Sequence, residues 1–266
     1  MKRKAKGPAV HVERLKGKAG SREWREHVER LAGQERLARQ RKPFQWVDSR
    51  EYGMHYNPFF KKGLGLFFGV KGGLDLVEAL KRIPGRKGRK MVVVDDGAGQ
   101  GNALAGIKER LEKLGIGCEA VALAFETSPE LEEKVKAGKI DRVVAGPAER
   151  FVPKKQVDAV VSYYGSVHYT LEDLKREHLL KFAYSLRKGG LLLVGFDSNR
   201  GGRVSAEAVF EERRMQRAIV RAFEKRGFRA GVYQKPRELE RSVRQKVPDF
   251  MLIVQRTNVF AGKKKP

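Results

Sequence analysis

Met91-Val92-Val93-Val94-Asp95-Asp96-Gly97-Ala98-Gly99-Gln100-Gly101-Asn102-Ala103-Leu104 decides the fold. The unbroken β-rich apolar run predicts a strand buried on both faces. It enters an acidic, glycine-rich turn, where the missing Cβ atoms allow tight backbone geometry and let a ligand approach main-chain N–H groups. The helix that opens near Asn102 adds the positive end of its dipole. Strand, turn and helix together suit a nucleotide-like ligand.

Outward from this motif, apolar runs alternate with helical patterns. Strands are predicted near 91–95, 119–125, 141–145, 157–162, 190–196 and 250–255, with a weaker one after Phe228. Helices are predicted near 102–114, 129–137, 171–187 and 206–226, and a short amphipathic one over Asp75 to Arg82. Such alternation argues for an α/β doubly wound, mostly parallel sheet with helices on both faces. The glycine spacing separates two ligand classes. A dinucleotide site of the GxGxxG kind needs a third glycine at position 102, where Asn102 stands, and this weighs against an NAD(P)-dependent oxidoreductase.

The run Asp95-x-Gly97-x-Gly99-x-Gly101 instead resembles motif I of the class I S-adenosylmethionine-dependent methyltransferases. The resemblance extends in order from about residue 89 to 256 and implies a seven-stranded sheet and S-adenosyl-L-methionine as cofactor. It implies that Gly97, Ala98, Gly99 and Gly101 cradle the methionine part and that Asp95 meets its amino group. Glu126, followed by Thr127 at the end of the second strand, is the candidate to accept from the ribose hydroxyls; a surface Glu capping the next helix is the alternative. Val143 to Glu149 looks like the adenine segment, with Ala148 and Glu149 as contacts, although Pro147 stands where the family often has Asp. Val157 to Gly165 looks like motif IV and puts Ser162, Tyr163 and Tyr164 beside the sulfonium. Lys188-Gly189-Gly190 resembles the turn into strand five.

Methyl transfer needs alignment more than acid–base chemistry, because the sulfonium is already a good leaving group. Candidate catalytic groups are His168, Tyr163 and Tyr164; packing of His168 against Tyr169 is the plainer alternative for that residue. Cytosine C5 chemistry would need a cysteine near strand four, and the one cysteine, Cys118, falls on strand two. The adenine-type Asn/Asp-Pro-Pro-aromatic run is absent from Ser162-Tyr163-Tyr164-Gly165. Val167 occupies the last glycine position of a GxSxG elbow and excludes a serine hydrolase. One cysteine also excludes an internal disulfide, and with no Cys/His cluster no metal is expected.

Lys and Arg number 57 against 32 Asp and Glu, a net charge of +25, which points to a polyanionic partner unless it reflects a generally basic proteome. Residues 1–50 hold 15 Lys or Arg against 6 Asp or Glu and read as a basic N-terminal arm with a helix over Ser21 to Arg39. Residues 51–88 read as an aromatic and glycine-rich connector or pocket cover, 89–257 as the methyltransferase domain, and 258–266 as a basic flexible tail. RNA, ribosomal or transfer, is the expected acceptor. The arm and residues 213–246 would bind phosphates through Arg213, Arg214, Arg217, Arg221, Lys225, Arg226 and the basic loop 235–246, while Tyr52, Tyr56, Phe59 and Phe60 stack an unpaired base. The alternatives are a small-molecule or protein acceptor, or a non-catalytic RNA-binding protein on the same fold. No apolar run approaches membrane length and no signal sequence follows Met1-Lys2-Arg3-Lys4, so a cytoplasmic protein is expected. Oligomeric state is left open.

Overall fold

A computed structural model describes residues 12–14, 58–84, 88–124, 127–146, 151, 155–163, 172–196, 206–234 and 250–257. The strands are β1 (Val12–Arg14), β2 (Met91–Asp96), β3 (Cys118–Ala124), β4 (Arg142–Ala145), β5 (Val157–Tyr163), β6 (Leu186–Phe196), β7 (Phe228–Gln234) and β8 (Phe250–Arg256). The helices are α1 (Pro58–Phe68), α2 (Leu76–Lys81), α3 (Asn102–Lys113), α4 (Pro129–Lys136), α5 (Glu172–Ser185) and α6 (Ala206–Glu224).

All the strands form one sheet in the order β1-β4-β3-β2-β5-β6-β8-β7. Only β8 runs against the rest, wedged between β6 and β7. The seven strands of the expected domain are therefore present. An eighth, β1, comes from the basic arm and pairs in parallel with β4 through Val12↔Val143 and Arg14↔Ala145. The arm helix expected over Ser21 to Arg39, the loop 235–246 and the tail lie outside the described residues.

Two apolar layers hold the helices to this sheet. Met91, Val93, Ala120, Ala122, Ala159 and Val161 pack with residues of α1 to α4, while Val92, Val94, Val121, Val160 and Leu192 pack with α5 and α6. Both faces of the central strands are thus covered, which is why β2 and β5 read as continuous apolar runs. The helix starts follow local chemistry. Asp75 caps α2 by accepting from the Glu78 N–H at 2.9 Å, and Ser128 caps α4 just before Pro129.

Within the segment expected to be a connector, the described part forms α1 and α2 and belongs to the core. Phe59, Phe60, Leu64 and Phe67 are buried, and α1 crosses the sheet from Tyr163 on β5 to Arg229 on β7, whose guanidinium lies 4.4 Å over the Phe67 ring and donates to the Phe67 carbonyl. The bend after α1 needs glycine at two places. A Cβ on Gly65 would lie 2.5 Å from the Gly73 Cα, and Gly73 itself takes φ of 93° against the Lys61 carbonyl.

The turn expected at Lys188-Gly189-Gly190 sits inside β6 as a bulge. Val157 pairs with Leu186 but Ala159 pairs with Leu191, so the intervening β6 residues loop out opposite Asp158. Buried Lys108 of α3 binds the Gly138 carbonyl at 2.9 Å and the Asp141 carboxylate at 2.8 Å, which also accepts from the Ala120 N–H. This fixes the approach to β4. Among the described residues no helix is long and apolar enough to cross a membrane.

Candidate cofactor site

Strand alternation separates the two aspartates that end β2. Asp95 continues the face of Met91 and Val93, and Asp96 the face of Val92 and Val94. Register sets Asp95 between Ala122 of β3 and Val161 of β5, two apolar neighbours. The residue is only 5% exposed, and among the described residues no group donates a hydrogen bond to its carboxylate. Burial, helped by the charge of Asp96, pushes the Asp95 carboxyl up to about 7.

Asp96 is held differently. Its carboxylate accepts a 2.7 Å hydrogen bond from the Ser162 hydroxyl. Ser162, expected to line the cofactor, is therefore fully buried on the opposite face from Asp95, and its side chain serves Asp96 instead.

The glycine turn has the conformation that its composition demands. Gly97, Gly99 and Gly101 take φ of 81°, 53° and 75°, all in the left-handed region. The N–H groups of Gly97 and Ala98 both donate to the Leu123 carbonyl, at 3.0 and 3.1 Å, and Gly101 donates to the Ala98 carbonyl at 2.7 Å. The first two hold the turn to β3, and the third closes the turn on itself. Among the described residues the N–H groups of Gly99 and Gln100 have no protein acceptor, which leaves them available to a ligand. Gln100 is a candidate position that the sequence did not indicate, since a main-chain donor carries no residue signature.

Two of the glycines should respond differently to alanine. A Cβ on Gly101 would stand 2.5 Å from the Ile140 Cδ1 and 2.7 Å from the Leu131 Cδ1, whereas one on Gly99 meets nothing within 4 Å. Left-handed strain plus overpacking should make Gly101→Ala cost about 3 kcal/mol in denaturant unfolding. Gly99→Ala should cost about 1 kcal/mol. Its methyl would project into the open space above the turn, so its main effect should be a ligand affinity loss of tenfold or more by calorimetry. Equal destabilisation by the two would contradict this packing.

The other expected contacts divide between placed and undescribed. Thr127 donates from its hydroxyl to Glu132 at 2.9 Å and so supports the first turn of α4. Tyr163 lies on the face of Asp95, half-buried, with its ring 5.4 Å from that of Phe60. Phe59 and Phe60 are each only 2% exposed, so they are core residues and cannot stack a base as expected. Glu126, Ala148, Glu149, Tyr164, His168, Tyr52 and Tyr56 lie outside the described residues. Among the described residues no group of His, Cys, Asp and Glu is arranged to hold a metal ion.

No protein-family model matches the chain, and no curated protein matches it in sequence. Solved structures match it in shape. The 1,6-didemethyltoxoflavin N1-methyltransferase of Burkholderia thailandensis, crystallised with S-adenosylhomocysteine, is similar over 92% of this chain and 94% of its own, at 19% identity and a TM-score of 0.52. The phosphoethanolamine N-methyltransferase 1 of Haemonchus contortus covers 66% of this chain and 41% of its own, at 15% identity and a TM-score of 0.48. An amino pentose methyltransferase of Micromonospora echinaspora covers 80% and 98%, at 14% identity and a TM-score of 0.44. The first of these, together with the strand order, carries the conclusion: the chain has the fold of the class I S-adenosylmethionine-dependent methyltransferases.

Proposed function

We propose that the chain is an S-adenosylmethionine-dependent methyltransferase and that its acceptor is RNA. One observation carries the first part: a buried carboxylate, Asp95, with no donor of its own among the described residues, lies beside a glycine turn with two unused N–H groups. The residues suit the cofactor. Asp95 would pair with an ammonium, Gly99 and Gln100 would donate to a carboxylate, and the open space above Gly99 would admit the chain between them. Bound there, the cofactor supplies an electrophilic methyl on sulfur.

The protein's remaining task is to present a nucleophile in line. Tyr163, at the end of β5 and held against Phe60, stands on the Asp95 face as a positioning group for the acceptor. Ser162 and Asp96 brace the ends of β2 and β5 from the other side. The RNA part rests on charge, since +25 exceeds what solubility requires.

The test is to incubate the protein with S-adenosylmethionine labelled in its methyl group and with RNA, protein and metabolite fractions, using Gly99→Arg as control. Label should enter RNA and be lost in the variant. Label confined to protein or metabolites would leave the methyltransferase reading standing and overturn the acceptor. Absence of both labelling and S-adenosylhomocysteine binding would overturn the enzyme.

A further inference from the structure

The amphipathic design of α6 leaves one face unaccounted for by the fold. At about 100° per residue, Ile219 and Phe223 define the face that packs on the sheet. Arg214, Arg217, Arg221 and Lys225 recur at spacings that bring them to the opposite face, and all four are exposed. Among the described residues no carboxylate pairs with Arg217, Arg221 or Lys225. The stripe is about 16 Å long at the helical rise. Arg226 does not join it, because its guanidinium turns back to the Ala222 carbonyl at 2.8 Å, and the Arg213 side chain lies outside the described ones.

An exposed aromatic ring lies near the C-terminal end of α6, linked to the sheet-packed side of the helix. Tyr184, the one large aromatic exposed among the described residues, is 46% accessible. Its ring packs edge-on at 5.4 Å against Phe228, which packs in turn at 5.9 Å against Phe223 of α6. Cations in a row and an open ring near the end of the same helix suit a polyanion that also offers flat apolar faces, and nucleic acid meets both demands where an acidic polypeptide meets only the first.

Topology sets the distance to the proposed transfer site. β7 runs in the same direction as β2, so its first residue, Phe228, lies at the amino edge of the sheet, opposite the glycine turn. α6 therefore descends from the carboxyl edge over about 28 Å, and the stripe occupies its lower part. A small acceptor at the carboxyl edge would not touch it. A folded RNA can span both.

We infer that the outer face of α6, with Arg214, Arg217, Arg221 and Lys225, together with the exposed ring of Tyr184 near the end of the helix, is a docking surface for the backbone and an unpaired base of the RNA substrate. It rests on the RNA reading above. Binding of a fluorescent mixed-sequence hairpin RNA with an unpaired loop should be measured by anisotropy across a salt series. The triple charge reversal Arg217→Glu, Arg221→Glu and Lys225→Glu should weaken it at least tenfold and flatten the slope of log affinity against log salt by about 2, close to 0.7–0.9 per cation removed. The equal-charge control Lys61→Glu, Lys62→Glu and Lys71→Glu, at exposed positions on and after α1, should change affinity less than threefold. Tyr184→Ala should weaken the looped hairpin but not a fully paired duplex. All three variants should bind S-adenosylhomocysteine as the parent does, which certifies the fold.

Equal losses in the two triple variants, or no loss in the first, would overturn the docking surface while leaving an RNA methyltransferase intact. Polyglutamate bound as tightly as the hairpin would assign the stripe to acidic protein instead. A parent protein that binds no RNA would remove the RNA reading and this inference together.

Discussion

Asp95→Asn should weaken S-adenosylhomocysteine binding at least tenfold at pH 8 and at the same time make the ligand-free protein more stable. The two effects share one cause. The carboxylate is buried beside Ala122 and Val161 and near the charge of Asp96, and its pKa rises from 3.8 to about 7. Between those values the folded chain keeps a proton that the unfolded chain has released. The stability of the free protein therefore falls as pH climbs through that window, and the loss is complete above about 7. Asparagine fills the same volume without the charge, so melting temperatures of variant and parent should converge below pH 4 and diverge towards pH 8, with the variant higher.

Ligand affinity should show the opposite trend. An ammonium stabilises the ionised carboxylate, so the parent should bind more weakly as pH falls below 7, by up to about tenfold per unit. The variant should show no such slope. Calorimetry at pH 6, 7 and 8 on both proteins measures this directly. Undiminished binding by Asp95→Asn at pH 8 would remove Asp95 from the site.

Arg89→Ala should cost about 3 kcal/mol of unfolding free energy without moving cofactor affinity. Asp158 opens β5 at the amino edge of the sheet with its side chain fully buried. It receives Arg89 through two hydrogen bonds of 2.7 and 2.6 Å, the Val92 N–H at 2.8 Å, and a more distant Arg187 at 3.8 Å. Removing Arg89 leaves an ionised group in the interior with one main-chain donor and an ill-placed guanidinium.

Burial makes the missing partner more damaging than the missing pair. The double change Arg89→Met with Asp158→Leu should therefore be less destabilised than Arg89→Ala alone, because no buried charge remains. Urea unfolding of the parent, Arg89→Ala and the double variant, with S-adenosylhomocysteine titrations alongside, measures this. A double variant no more stable than Arg89→Ala would contradict the account. Altered cofactor affinity in Arg89→Ala would mean that the amino edge communicates with the glycine turn.

Periodicity and glycine spacing determined most of the layout. Each main strand and helix expected from 91 to 256 is present with ends shifted by a few residues, because continuous apolar runs and capping residues such as Ser128-Pro129 act locally. The 58–68 helix was less legible. Gly63 and Gly65 lower its intrinsic propensity, and only burial of Phe59, Phe60, Leu64 and Phe67 against the sheet makes it a helix. β1 was missed altogether, since three residues in a basic arm carry no period and become a strand only by pairing with β4.

The resemblance singled out Asp95 by its spacing to the glycines, but only the tertiary structure gives the physical reason. Asp95 and Asp96 are chemically identical neighbours in the sequence, yet the pleat sends one towards the α1–α4 layer, with no donor among the described residues, and the other to Ser162 in the opposite layer. The same pairing consumed the N–H groups of Gly97 and Ala98 on Leu123 and left those of Gly99 and Gln100 open. Residue type follows from the chain, but which face a side chain occupies and which donors are already satisfied depend on strands that meet across long stretches of sequence.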